Sequence, residues 1–237
     1  MERFKQWLAS LDQPRILDIG TGVGNFVHLI TSVNQTYGEI VGVDTSQGAI
    51  QAAQKHFTGQ ERIRFEVMDA MNLTFEAESF DVVCLSNTLH HLADPKAIFQ
   101  AMEKVLKPGG TILVNEMISD GLNEKQLSHR KLHHFAAEID RHFGVVHQPT
   151  YSRAQVAAVL KRNSTKQTVA VWDLQFPEPA EPEDSEIASL AATVDRLLVR
   201  LKDTPVEAAF RTKGERIKQY IIKHKFAGAT QTVTLLQ

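Results

Sequence analysis

The sequence predicts an α/β chain: a doubly wound, mostly parallel sheet with an antiparallel last strand and a helical insertion near the C-terminus. Three observations carry that prediction. Short apolar runs alternate with stretches of helical periodicity through the first half of the chain, a glycine-rich loop joins the first such run to its helix, and the pattern turns mainly helical after residue 120. Strands separated by helices pair in parallel, and helices covering both faces make each strand continuously apolar rather than alternating.

Each element follows from local chemistry. Phe4, Trp7, Leu8 and Leu11 recur at helical spacing and predict an amphipathic helix that ends before Pro14. Arg15 to Ile19 reads as a buried strand running into Gly20-Thr21-Gly22-Val23-Gly24, with a helix from Asn25 to about Ser32. Glu39 to Asp44 is the second strand, and Thr45-Ser46 can cap a helix through Lys55. Strands at Ile63 to Val67 and Phe80 to Leu85, a helix from Pro95 to Leu106 and a strand from Thr111 to Glu116 complete the alternation. Lys107-Pro108-Gly109-Gly110 predicts a turn, because Pro stops the helix and Gly permits positive φ.

Beyond residue 120 come a His-rich helix from about Asn123 to Phe143, a helix starting near Ser152 and a β-branched run from Thr168 to Leu174. The acidic, Pro-rich Pro177 to Asp184 reads as a linker. Ile187, Leu190, Val194, Leu197, Leu198 and Leu201 mark one amphipathic helix, Phe210, Ile217 and Ile221 mark a second, and Thr230 to Leu236 reads as a closing strand. The expected division is a core over residues 1–176, a helical insertion over 177–226 and the closing strand of the core over 227–237. The insertion reads as a self-burying helical cap, a lid or a contact in a homodimer.

Composition narrows the function. With 26 Lys+Arg against 28 Asp+Glu, the net charge of −2 excludes a nucleic-acid binder driven by bulk charge. Hydrophobic residues at 43% and charged residues at 23% allow a sizeable core. The single Cys84 permits neither an intrachain disulfide nor a Cys-rich zinc site and fits a reducing compartment. Residues 1–8 alternate charged and apolar side chains instead of forming a signal-peptide core, and no run approaches the roughly 18 apolar residues of a membrane span. A cytoplasmic protein without membrane insertion is expected.

The glycine loop lies where a strand becomes a helix, so backbone can approach a ligand there. Asp44 ends the second strand about 20 residues further on, where a carboxylate can accept both hydroxyl protons of a ribose. A dinucleotide fingerprint would place glycine where this chain has Asn25. Instead the glycines follow G-x-G-x-G behind Asp18, and Asp18, Asp44 and Asp69 supply acceptors that repel phosphate.

These residues resemble the class I S-adenosylmethionine-dependent methyltransferases, in the small-molecule branch similar to the ubiquinone and menaquinone biosynthesis enzymes. The resemblance covers roughly residues 1–120. It rests on Leu17 to Gly24, Val41 to Asp44, Val67 to Ala70, Phe80 to Leu92 and Val105 to Gly110. It implies a Rossmann-like fold and methyl transfer from S-adenosylmethionine to a small-molecule acceptor, with S-adenosylhomocysteine as product. It further implies that Gly20, Thr21 and Gly22 line the methionine portion, Asp44 holds the ribose diol and Asp69 accepts the adenine amino proton. Ala70 and Met71 would wall the base, Asn87 would lie near the sulfonium beside His90 and His91, and Asp18, Gly24 and Thr45 complete the expected cofactor site. An NAD(P)-dependent oxidoreductase and a cofactor-binding, inactive interaction subunit remain as alternatives.

Displacement at a sulfonium needs alignment first, and a general base only when the nucleophile arrives protonated. Ser86-Asn87-Thr88-Leu89 lacks the Pro-Pro-aromatic sequence of nucleic-acid amino methyltransferases, which favours a small organic acceptor. On the His-rich helix, Leu132, Phe135, Ala136, Ile139 and Phe143 form a predicted buried stripe; His129, His133 and Asp140 run along its edge, with His134 and Glu138 on the solvated face. That edge can orient a base, bind a substrate carboxylate, ligate a divalent metal, or hold solvated histidines without chemistry. The catalytic candidates are His91, His129, His133 and Tyr151, with His142 and His147 as further polar wall, and no metal is included in the expected site.

Overall fold

The computed structural model describes residues 1–175 and 184–237. The expected linker therefore lies outside the described residues, except for Asp184. In chain order the elements are α1 (Glu2–Ala9), β1 (Arg15–Ile19), α2 (Asn25–Val33), β2 (Glu39–Asp44), α3 (Gln47–His56), β3 (Ile63–Val67), β4 (Phe80–Ser86), α4 (Pro95–Val105), β5 (Leu106–Met117), α5 (Glu124–His142), α6 (Arg153–Asn163), β6 (Thr168–Leu174), α7 (Asp184–Leu198), α8 (Glu207–His224) and β7 (Gln231–Leu236). Short 3-10 turns follow β3 at Ala70–Asn72 and β4 at Leu89–His91. None of the described helices is long and apolar enough to cross a membrane.

The chain forms two compact units. The first comprises Met1–Glu116, Ala154–Leu174 and Thr232–Gln237, and the second Met117–Arg153 and Gln175–Gln231. The first carries nearly all of a seven-stranded sheet in the order β3-β2-β1-β4-β5-β7-β6. β1 pairs in parallel with β2 on one side and β4 on the other, so Ile16 has Ile40 and Val82 as neighbours. The winding reverses between β1 and β4, and in open α/β sheets ligands bind beyond the strand C-termini at that switch. Gln167 and Gln237 exchange N–H···O bonds of 2.9 and 3.0 Å, the signature of an antiparallel pair, which fixes β6 against β7.

Burial explains the strands. Ile16, Leu17, Ile40, Val41, Val82 and Val83 are all 0–1% exposed, as expected for strands covered on both faces. Phe4 and Leu8 of α1 are buried in the same cluster, and Trp7 and Leu11 pack at its margin. Ser46, not Thr45, caps α3, its hydroxyl accepting the Ala49 amide at 3.3 Å. The expected turn at Lys107 to Gly110 is absorbed into β5: Phe80 pairs with Leu106 but Val82 with Thr111, leaving a bulge in which Gly109 takes φ +75°.

The second unit is built on α5, α7 and α8, whose core includes Phe135, Ile139, Val194, Leu198, Ile217 and Ile221. Gly214 permits the close approach of α8 to α7, since a Cβ there would come within 2.7 Å of Val194. Residues 117–153, assigned to the core from sequence, group with these helices because α5 buries its apolar face among them. That face is shifted from the expected stripe: Ala137 is buried in place of Ala136, and Phe143 is 46% exposed. His134 and Glu138 are not simply solvated, for His134 Nε2 pairs with the Thr150 hydroxyl at 2.8 Å and Glu138 with Lys213.

α5 opens on a capping box in which the Asn123 side chain accepts the Gln126 amide at 2.9 Å and the Gln126 side chain accepts the Asn123 amide at 3.1 Å. Asn123→Ala is expected to lower stability by about 1 kcal/mol and Asn123→Asp to preserve it, measured by urea denaturation followed by circular dichroism.

Candidate active site

The candidate site lies in the first unit, at the C-terminal ends of β3, β2, β1 and β4. β1 delivers Gly20, Thr21 and Gly22, and the turn into α2 ends on Gly24. Gly20 has φ +68°, and a Cβ there would lie 2.5 Å from the Thr88 side chain that follows β4. Gly22 has φ +55° with open space where a Cβ would be, so backbone conformation alone selects glycine there.

Asp44, the last residue of β2, fixes this loop. Its Oδ2 accepts the Gly22 amide at 2.9 Å and its Oδ1 the Ser46 amide at 2.9 Å. Backbone bonds extend the tie in both directions, from the Thr21 amide to the Val43 carbonyl and from the Met68 amide to the Asp44 carbonyl, each 3.0 Å. Asp69 therefore follows beside Asp44. It caps the turn at Ala70–Asn72 by accepting the Met71 amide at 2.9 Å, while Met71 is 52% exposed and Thr45 is exposed as well.

Asp18 is the unusual member. It is 1% exposed, and neither carboxylate oxygen meets a donor in hydrogen-bonding geometry; the buried Thr21 hydroxyl is likewise without a partner. Burial pushes the Asp18 carboxyl up to about 7, the nearby Thr21 hydroxyl opposing and the Asp44 charge adding to the shift. Asn87 closes the edge at the end of β4 in a left-handed conformation, φ +49°, its amide bonded to the Asn115 carbonyl at 2.7 Å. Asparagine tolerates that region better than most residues.

A buried pair missed in the sequence supports this corner. Glu116, fully buried at the end of β5, accepts the Leu89 amide at 3.1 Å on one oxygen and pairs with His90 Nδ1 on the other. His90 is buried and His91, the predicted catalytic residue, is exposed. The available signal was the strand's single acid, set beside the apolar run Ile112 to Val114.

Residues 17–114 match the family model described as a methyltransferase domain. A demethylmenaquinone methyltransferase of Clavibacter sepedonicus is 31% identical over 102 residues, 43% of this chain and 40% of that protein. Residues 17–114 therefore carry a methyltransferase domain. A phosphoethanolamine N-methyltransferase of Triticum aestivum is also 31% identical to this chain, over 120 residues, 49% of the chain and 23% of that protein. The chain thus spans well under half the length of either relative. Two solved structures share its fold: the YcgJ protein of Bacillus subtilis, with TM-score 0.58, 20% identity and coverage of 99% and 95% of the two chains, and the [4+2]-cyclase SpnF, with TM-score 0.60, 16% identity and coverage of 99% and 79%.

The other predicted catalytic residues belong to the second unit. His129 does not join Asp140: its Nδ1 accepts the Ala229 amide at 2.9 Å and its ring packs on Phe226. His133 Nε2 meets His147 Nε2 at 3.1 Å, and His147 Nδ1 meets Asp140 at 2.7 Å, so His147 takes the place beside Asp140 that the helix periodicity gave to His129. Tyr151 is half-buried, with its carbonyl accepting the Ser119 amide at 2.9 Å.

Asp18 makes a pH prediction. An unfolded aspartate ionises near 3.8, whereas the folded one holds its proton to about 7. Between those values the native state retains a proton that the unfolded chain has released, so stability falls as pH rises through the window and levels off above it. The loss is at most about 4 kcal/mol. Asp18→Asn should remove this slope in denaturation measured from pH 4 to 8, and an unchanged slope would contradict the assignment.

Proposed function

We propose that the protein transfers a methyl group from S-adenosylmethionine to a small organic acceptor. The observation that carries this reading is a set of buried acceptors without cations: Asp18 and Thr21 beside the Gly20 to Gly24 loop, with Asp44 pinned to that loop by the Gly22 amide. The cofactor offers what such a set requires, an ammonium group and a ribose diol. A dinucleotide would instead bring a pyrophosphate to the glycine loop, where Asp18 lies buried behind it, and Asn25 stands where its fingerprint needs glycine.

When bound, the cofactor supplies an electrophilic methyl group on a sulfonium. The chain's own residues bind and orient. Gly20, Thr21 and Gly22 cradle the methionine portion, with Asp18 behind them as acceptor. Asp44 takes the diol, since each of its oxygens keeps a lone pair after accepting one amide. Asp69 accepts from the adenine, between Ala70 and Met71, and Asn87 stands at the β4 end. For an acceptor that arrives protonated, we assign proton removal to His91, which is exposed beside the His90 ring held by Glu116. The names of the two relatives, which refer to demethylmenaquinone and phosphoethanolamine, support an acceptor of small-molecule size. The lone, buried thiol of Cys84 supports a cytoplasmic setting.

Calorimetric titration with S-adenosylhomocysteine, NADH and NADPH tests the reading. Binding of the first alone is expected. Asp44→Ala should weaken it about 30-fold, equivalent to about 2 kcal/mol for a hydrogen-bonded charge. Dinucleotide binding without S-adenosylhomocysteine binding would move the assignment to hydride transfer. Binding without transfer of labelled methyl across a broad acceptor panel would favour the inactive interaction subunit.

A further inference from the structure

In the second unit, α5 and the turn that follows it assemble a histidine pair backed by a carboxylate. His133 and Asp140 lie seven residues apart, two helical turns, and so share a face of α5. The chain then reverses through Gly144, whose φ is +77°, with the Gly144 amide bonded to the Arg141 carbonyl and the Val145 amide to the Asp140 carbonyl, both 3.0 Å. This turn returns His147 to the helix. His147 is 5% exposed, its carbonyl accepts from the Arg141 guanidinium, and its Nδ1 lies 2.7 Å from Asp140 Oδ2. The other oxygen of Asp140 accepts from Arg200 at 2.6 Å.

A carboxylate accepting at Nδ1 makes that nitrogen the donor and leaves the His147 lone pair on Nε2. That lone pair meets His133 Nε2 at 3.1 Å. Such an approach requires a proton or a cation between the rings. Two nitrogens about 2.05 Å from a tetrahedral ion lie about 3.3 Å apart, close to the observed spacing. A carboxylate on the outer nitrogen is the usual support of a metal-bound histidine, fixing its tautomer and raising its basicity.

We propose that His133 and His147 bind a divalent transition-metal ion of the zinc type, oriented by Asp140 behind His147, with water or a further ligand completing the coordination. Imidazole nitrogens suit zinc, cobalt and nickel, and the absence of a carboxylate in the pair itself disfavours magnesium or calcium. The assignment does not rest on the cofactor reading, because metal binding here requires no nucleoside.

The test titrates the full chain, freed of metal by chelation, with cobalt(II) and then zinc(II), followed by calorimetry and by the visible spectrum of cobalt. One equivalent of cobalt per chain with a coordination spectrum that zinc displaces is expected. His133→Ala and His147→Ala should each weaken binding at least 100-fold, and Asp140→Asn 10- to 100-fold. His142→Ala, an exposed histidine on the same helix, should leave binding unchanged. His147→Gln and His133→Asn serve if an alanine variant fails to fold, as judged by circular dichroism. Absence of stoichiometric binding, or binding that survives loss of either histidine, would overturn the proposal and leave a proton shared between the two rings. S-adenosylhomocysteine affinity measured on the same samples separates this outcome from a failure of the cofactor reading.

Discussion

The hydrogen bond from the Gly22 amide to the Asp44 carboxylate joins two segments that the chain keeps 22 residues apart, and the proposed cofactor edge is organised around it. A parallel sheet brings strand C-termini to one edge, but it does not fix the loops that leave them. Here the loop after β1 is held by Asp44 and by the Val43 carbonyl, and the segment after β3 is held by the Asp44 carbonyl. Two loops are thereby registered to the end of β2. Gly22 takes its positive φ where its amide meets that carboxylate, which places the glycine pattern beside the acid that follows it.

The sheet carries two buried acids that are treated differently. Glu116 is fully buried but accepts the Leu89 amide and pairs with His90, so its desolvation is offset by local partners. Asp18 is as deeply placed without an equivalent partner, and burial shifts its ionisation toward neutrality. An acid satisfied by its own chain is explained by folding alone. An acid left unsatisfied beside a glycine loop costs stability, and a ligand carrying donors would offset that cost.

Much of this was legible in the sequence because it depends on short-range pattern. Continuous apolar runs marked β1, β2 and β4, and the spacing from Gly20 through Asp44 marked the loop and its acid. The parts that were not legible depend on long-range packing. The phase of α5 is set by α7 and α8, so periodicity alone placed Ala136 inside where Ala137 is buried. His147 reaches Asp140 only because the chain turns back at Gly144, and no helical spacing predicts a partner beyond the helix end. His129 was assigned to that edge by its spacing, yet the Ala229 amide, 100 residues away, claims its ring. Glu116 did leave a trace, since a charged residue inside a buried strand demands a partner.

The most direct measurement is a crystal structure of the protein grown with S-adenosylhomocysteine. The account predicts the ribose diol on Asp44, the ammonium group near Asp18 and Thr21, and the adenine beside Asp69. Ligand density elsewhere on the molecule, with the Gly20 to Gly24 loop and Asp44 making no contact to it, would contradict the account.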